Sequence, residues 1–189
     1  MKLPSMIKGW INTSSSPEKL LNKYIETGDK TCLSLLVEQF NKPLFHYLLS
    51  MSDRSLAEDV VQTTWLKVLK LQHLPLTHQN VKGWLYTIAR NTLFDELKRM
   101  KRWQWQSLDE ITEVMEWNPL INKNAERLVQ FNQALEQLPF FQREAFIFQQ
   151  DGFSVSEIAQ ITNESFETVK SRLRYARKHL KQALGNNHE

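Results

Sequence analysis

Residues Ser154–Leu184 read SVSEIAQITNESFETVKSRLRYARKHLKQAL. Ser154-x-x-Glu157 has the form of a capping box, and the apolar Val155, Ile158, Ala159 and Ile161 follow it at once. Thr162-Asn163-Glu164 interrupts the pattern, and Ser165 is placed to cap a second helix. In that helix Val169, Leu173, Ala176 and Leu180 recur at steps of three and four, which makes one apolar stripe. Lys170, Arg174, Arg177, Lys178 and Lys181 recur the same way on an adjacent face, with Arg172 beside them. One stripe suits a core and the other a polyanion. Helix, tight turn and basic second helix is the helix-turn-helix arrangement, whose second helix enters the DNA major groove. A basic surface helix can also be no more than a solvated face. The coincidence of cap, turn and one-sided cations favours duplex DNA.

Just upstream, FQREAFIFQQ predicts a helix stopped at Asp151-Gly152, and Glu126 to Leu138 another, ended by Pro139. Residues 104–125 have no sustained period and hold Asp109, Glu110, Glu113 and Glu116, which reads as an acidic linker. Residues 1–16 read as a poorly ordered arm. Ser16-Pro17 opens a helix ended by Gly28, and a second helix from about Lys30 carries Pro43, which predicts a kink or break. Ser55-x-x-Glu58 looks like another capping box, opening a helix that is apolar on more than one side. Such a helix is deeply buried or has a partner. After the loop Leu71–Asn80 comes VKGWLYTIARNTLFDELKRMKR. Trp84, Leu85, Ile88, Ala89, Leu97 and Met100 are expected to face inward. Lys82, Tyr86, Arg90, Lys98 and Arg102 fall on another face, with Asn91 and Arg99 nearby. Cations, an aromatic and an amide together suit single-stranded nucleic acid. A solvated helix with an Asp95–Arg99 ion pair is the competing reading. The expected fold class is all-α: an arm at 1–16, a helical domain at 17–103, a flexible linker at 104–125 and a second helical domain at 126–184.

The 189 residues are 41% hydrophobic and 24% charged, which are globular values. The net charge of +3 conceals a gradient. Residues 1–103 hold 15 Lys/Arg against 9 Asp/Glu, residues 104–125 hold 1 against 4, and residues 126–189 hold 8 against 8. The one cysteine, Cys32, lies in an apolar run and is read as a core residue in a reducing cytosol. No signal peptide or apolar span is visible, so membrane insertion is not expected. His73 and His78 lack a third ligand nearby, and no metal or other cofactor is expected. Adjacent acidic doublets such as Glu58-Asp59 point about 100° apart on a helix and do not make a facing acid/base pair. With no nucleophile elbow or phosphate-binding loop either, a binding protein is favoured over an enzyme. A ligand-sensing helix-turn-helix regulator and a nucleic-acid enzyme remain as alternatives.

Three blocks, in this order and spacing, resemble a bacterial sigma factor of the extracytoplasmic-function group within the sigma-70 family. They are AEDVVQTTWLKVLK, WLYTIARNTLFDELKR and LEQLPFFQREAFIFQQDGFSVSEIAQITNESFETVKSRLRYARKHL. The resemblance covers about residues 17–184. It implies a cytoplasmic bacterial transcription initiation factor that binds core RNA polymerase and selects promoters. Asp59, Val61, Gln62, Trp65 and Leu66 match the surface that docks on the clamp helices of the polymerase's largest subunit. Leu71–Asn80 matches the loop that captures a flipped minus-ten base. Lys82, Trp84, Tyr86, Arg90, Asn91 and Lys98 match the minus-ten surface. Phe166, Thr168, Lys170, Ser171, Arg174, Tyr175 and Lys178 match the minus-35 reader, with Arg172 and Arg177 as phosphate contacts. The implied partners also include the flap of the second-largest subunit, promoter DNA and an anti-sigma factor. The linker matches the segment that threads toward the RNA exit path.

Overall fold

The computed structural model describes residues 16–71, 80–104 and 123–185. They form eight helices: α1 (Pro17–Thr27), α2 (Lys30–Leu49), α3 (Arg54–Leu69), α4 (Val81–Gln104), α5 (Lys123–Glu136), α6 (Phe140–Gln150), α7 (Val155–Thr162) and α8 (Phe166–Gly185). Most of the expected arm, most of the expected linker and residues 72–79 of the loop, with His73 and His78, lie outside the described residues. Among the described residues no helix is long and apolar enough to cross a membrane.

Local chemistry accounts for most helix ends. Ser16 caps α1 by accepting from the Lys19 N–H, and Gly28 closes it in the left-handed region at φ 72°. Asp29 caps α2 in turn. Its carboxyl is held down to about 2, first by the Lys23 ammonium and then by the Thr31 N–H. One expectation is narrowed here and one is corrected. Helix α2 is continuous through Pro43, which excludes a break, and Phe40, Leu44, Tyr47 and Leu48 are buried on either side of it. Helix α3 starts one residue before Ser55, and Asp53 is its cap, accepting from the Leu56 N–H at 2.9 Å. Glu58 then serves no capping box and pairs with Arg54 instead.

Each of α1 to α4 packs on its neighbour in the chain, and α4 returns to α1 and α2. The Tyr24 hydroxyl donates to the Leu69 carbonyl at 2.8 Å, tying α1 to the end of α3. In the C-terminal part α5, α6 and α7 all pack on α8. A small cluster of Ala134, Leu138, Phe146, Ala176 and Leu180 holds this part together. The main core does not stop at the boundary between the two units. It runs from Leu21, Leu36, Leu44 and Leu85 through Tyr47 and Tyr86 into Phe148, Phe153, Ile158 and Leu173. Helix α4 accordingly packs on α7 as well as on α1 to α3.

Candidate nucleic-acid interface

The helix-turn-helix forms as its sequence dictates. Ser154 Oγ accepts from the Glu157 N–H, and the Glu157 carboxylate accepts from the Ser154 N–H at 2.8 Å. That N–H and the Ser154 hydroxyl hold the Glu157 carboxyl below its ordinary range. Asn163 takes the left-handed conformation at φ 54° and turns the chain. Ser165 then accepts from the Thr168 N–H at 3.0 Å at the start of α8. Val169, Leu173, Ala176 and Leu180 are buried as the stripe predicts. Lys170, Arg174, Arg177 and Lys178 are exposed, as are Phe166 and Tyr175. Arg174 stacks its guanidinium 5.0 Å from the Tyr175 ring, so the two present one surface. Ser171 and Thr168 are half-buried at its margin. Arg172 is drawn inward: it donates to Glu164 at 2.7 Å and lies 4.7 Å over the Phe141 ring. Arg177 donates to Gln149 at 2.6 Å yet stays exposed.

A second surface is apolar. Leu33, Val37, Asn41, Val61, Gln62, Trp65, Leu66 and Leu69 line an open groove between α2 and α3. Leu66 is 56% and Leu69 44% exposed, high for leucines on a folded surface. The Trp65 indole N–H donates to the Asn41 side-chain carbonyl at 2.9 Å, which fixes the ring at the groove edge. Of the expected docking residues, Asp59, Gln62 and Leu66 are exposed and Trp65 half-buried. Val61 is buried and forms the groove floor.

The third surface departs from expectation. Asn91 and Lys98 are exposed and Trp84 is half-buried on α4, but Lys82, Tyr86 and Arg90 turn into the C-terminal unit. Arg90 gives Nε to Glu144 Oε1 at 2.9 Å and Nη2 to Oε2 at 3.2 Å. Glu144 is wholly buried and also accepts from the Tyr47 hydroxyl at 3.1 Å. The Tyr86 hydroxyl donates to the Asp151 carboxylate at 2.9 Å, and the Lys82 ammonium donates to the Asp151 carbonyl. Phe153 stands edge-on to Tyr86 with 4.9 Å between centroids. Burial pushes the Tyr47 and Tyr86 hydroxyls and the Asp151 carboxyl upward from their ordinary ranges. Arg99 pairs with Glu96 and not with Asp95.

Sequence reasoning missed Glu144, Asp151, Tyr47 and Asn41. Glu144 left one signal: it lies four residues before Phe148, and so on the apolar stripe of α6. Among the described residues no group of three or more His, Cys, Asp or Glu is placed to hold a metal.

Two family models match the chain, Sigma-70 region 2 over residues 36–104 and Sigma-70, region 4 over residues 128–180. RNA polymerase sigma factor SigZ of Bacillus subtilis is 29% identical over 156 residues, spanning 79% of this chain and 85% of SigZ. ECF RNA polymerase sigma factor EcfG of Rhodopseudomonas palustris is 31% identical over 129 residues, 68% of this chain and 71% of EcfG. Among solved structures, the sigma factor RpoE bound to the anti-sigma factor NepR, from Bartonella quintana, superposes with a TM-score of 0.71 at 29% identity, covering 82% of this chain and 98% of RpoE. CnrH, solved with the cytosolic domain of CnrY, shares the fold at a TM-score of 0.65 and 19% identity, over 91% of this chain and 99% of CnrH.

Proposed function

This chain belongs to the sigma-70 family, in its extracytoplasmic-function group, and from that premise we propose how its surfaces divide the work. It is an RNA polymerase sigma factor, which binds core polymerase and directs promoter recognition and transcription initiation. The groove between α2 and α3 takes the clamp helices of the largest polymerase subunit. Asp59, Gln62 and Leu66 meet them directly, and Val61 and Trp65 shape the floor and edge. The α8 face of Lys170, Ser171, Arg174 and Tyr175 reads minus-35 base edges, flanked by Phe166 and Thr168. Arg177 and Lys178 hold phosphates, and Arg172 fixes the start of α8 against Phe141. The α4 set of Lys82, Trp84, Tyr86, Arg90, Asn91 and Lys98 holds the melted minus-ten strand, under the Leu71–Asn80 loop. Residues 17–103 and 126–184 act as the two DNA-binding domains, joined by the acidic linker. The C-terminal domain also meets the flap of the second-largest subunit. A protein inhibitor of the kind seen on RpoE is a further partner, and the site of action is the cytoplasm.

The open apolar groove carries this reading. A duplex-binding repressor has no use for it, whereas an apolar surface with Asn41 and Gln62 as its polar members suits a protein helix pair. The test is in vitro transcription with purified core polymerase on genomic fragments, with start sites mapped. Gln62→Ala with Leu66→Ala should lower core affinity and transcript yield together while helical content stays intact. Unchanged affinity would refute the docking assignment, and failure of the parent chain to stimulate core would refute the function.

A further inference from the structure

The Trp65 indole has one polar atom, and that atom can only donate. Its N–H meets the Asn41 side-chain carbonyl at 2.9 Å, from α3 across to α2. Since an indole N–H cannot accept, the Asn41 oxygen and not its nitrogen faces the ring. Apart from the indole, Asn41 and Gln62 are the polar side chains lining the α2–α3 groove, and five aliphatic side chains make up the rest. In the free chain the bond contributes little. Asn41 is exposed and Trp65 half-buried, so water can replace either partner at small cost. A protein laid over the groove changes that. Covering the ring removes water from its N–H, and a donor buried without an acceptor costs far more than an exposed bond contributes. The aliphatic walls hold no acceptor to replace Asn41.

We propose that Asn41 is a positioning residue of the polymerase groove, acting through Trp65. Its carbonyl satisfies the indole N–H once the partner has closed over the ring, so that Trp65 serves as an apolar anchor. This rests on the groove as the surface that takes core polymerase. The pairing also states what the partner brings to this point. With its one donor taken within the chain, Trp65 offers the partner only ring carbons. An apolar side chain of the docked helix therefore meets the ring, and not a hydrogen-bond acceptor. Held from α2, the ring also loses little freedom on docking, which lowers the entropic cost of the contact.

The test uses the full chain and purified core polymerase. Asn41→Leu keeps the size of the side chain and removes the acceptor. Its helical content and urea midpoint should stay near those of the parent, because the bond is exposed in the free chain. Its affinity for core should fall about tenfold, the cost of burying one unpaired donor. In a Trp65→Phe background the same substitution should cost less than about twofold, since no donor is left to satisfy. Equal losses in the two backgrounds would overturn the proposal, as would a loss of affinity matched by an equal loss of folding stability. Asn41→Asp keeps an acceptor in place and should bind core within about threefold of the parent. A loss there of about tenfold would also overturn the proposal, and this variant decides the matter if Asn41→Leu does not fold. If Gln62→Ala with Leu66→Ala weakens core binding while Asn41→Leu does not, the groove stands and the role of Asn41 falls. If neither weakens it, the groove assignment falls and this proposal with it.

Discussion

Gly152 adopts φ of +87°, a region that costs a side-chain-bearing residue about 1–2 kcal/mol. The turn it makes is what brings two helices together. The Phe153 N–H returns to the Phe148 carbonyl at 3.1 Å, which closes α6 in a six-to-one loop. Asp151 and Phe153 then point at Lys82 and Tyr86 on α4. Gly152→Ala is expected to lower stability of the free chain by about 1–2 kcal/mol through backbone strain, measured by urea titration. The Asp151-Gly152 stop was legible in the sequence, because glycine after a helical run marks an end. What Asp151 touches was not, since its partner lies 65 residues away. The same holds for Glu144. Its place on an apolar stripe can be read from spacing, but the Arg90 guanidinium that makes burial tolerable belongs to another helix.

At the scale of the helix, legibility follows locality. The capping box and turn of α7 and α8 involve contacts within a few residues, and both form as read. The start of α3 was misread by two residues because Asp53 and Ser55 compete for the role. The Asp53 side chain reaches the Leu56 N–H, and Glu58 is taken by Arg54. The α7 box carries a pH dependence. In the folded chain the Ser154 N–H lowers the Glu157 carboxyl below its ordinary 4.5. A depressed carboxyl adds stability above its unfolded value and loses it as pH falls through the folded one. The difference in urea midpoint between the parent and Glu157→Gln should thus shrink steadily below pH 4.5. On the proposed division of roles, helix α8 makes two kinds of contact. Lys170→Ala or Arg174→Ala should cost about 1–3 kcal/mol on the cognate minus-35 sequence and much less on a scrambled one. Arg177→Ala should weaken both alike and reduce the salt slope of binding by about one. Binding isotherms at several salt concentrations distinguish them. Equal losses on both sequences for Lys170 and Arg174 would make α8 a nonspecific anchor.

For the whole molecule, periodicity shows which side of a helix is apolar but not what covers it. The sequence therefore read as two units on a joint, and the structure adds that one core runs through both. Tyr47 and Tyr86 are wholly buried, and Phe148 and Phe153 from the other unit form part of their cover. Cutting the chain at the linker would expose these rings and leave Arg90 without Glu144. Two rings and a few aliphatic groups returned to water cost on the order of several kcal/mol at ~25 cal/mol per Å², less what relaxation recovers. The fragment 17–103 should consequently unfold at a lower urea concentration than the same residues in the full chain. The full chain should unfold in one transition, with a slope that reports both units, whereas weakening the interface should split it in two. Circular dichroism and tryptophan fluorescence followed on the same samples supply the measurement. If the fragment and the full chain share one midpoint, the contact between the units adds nothing to stability.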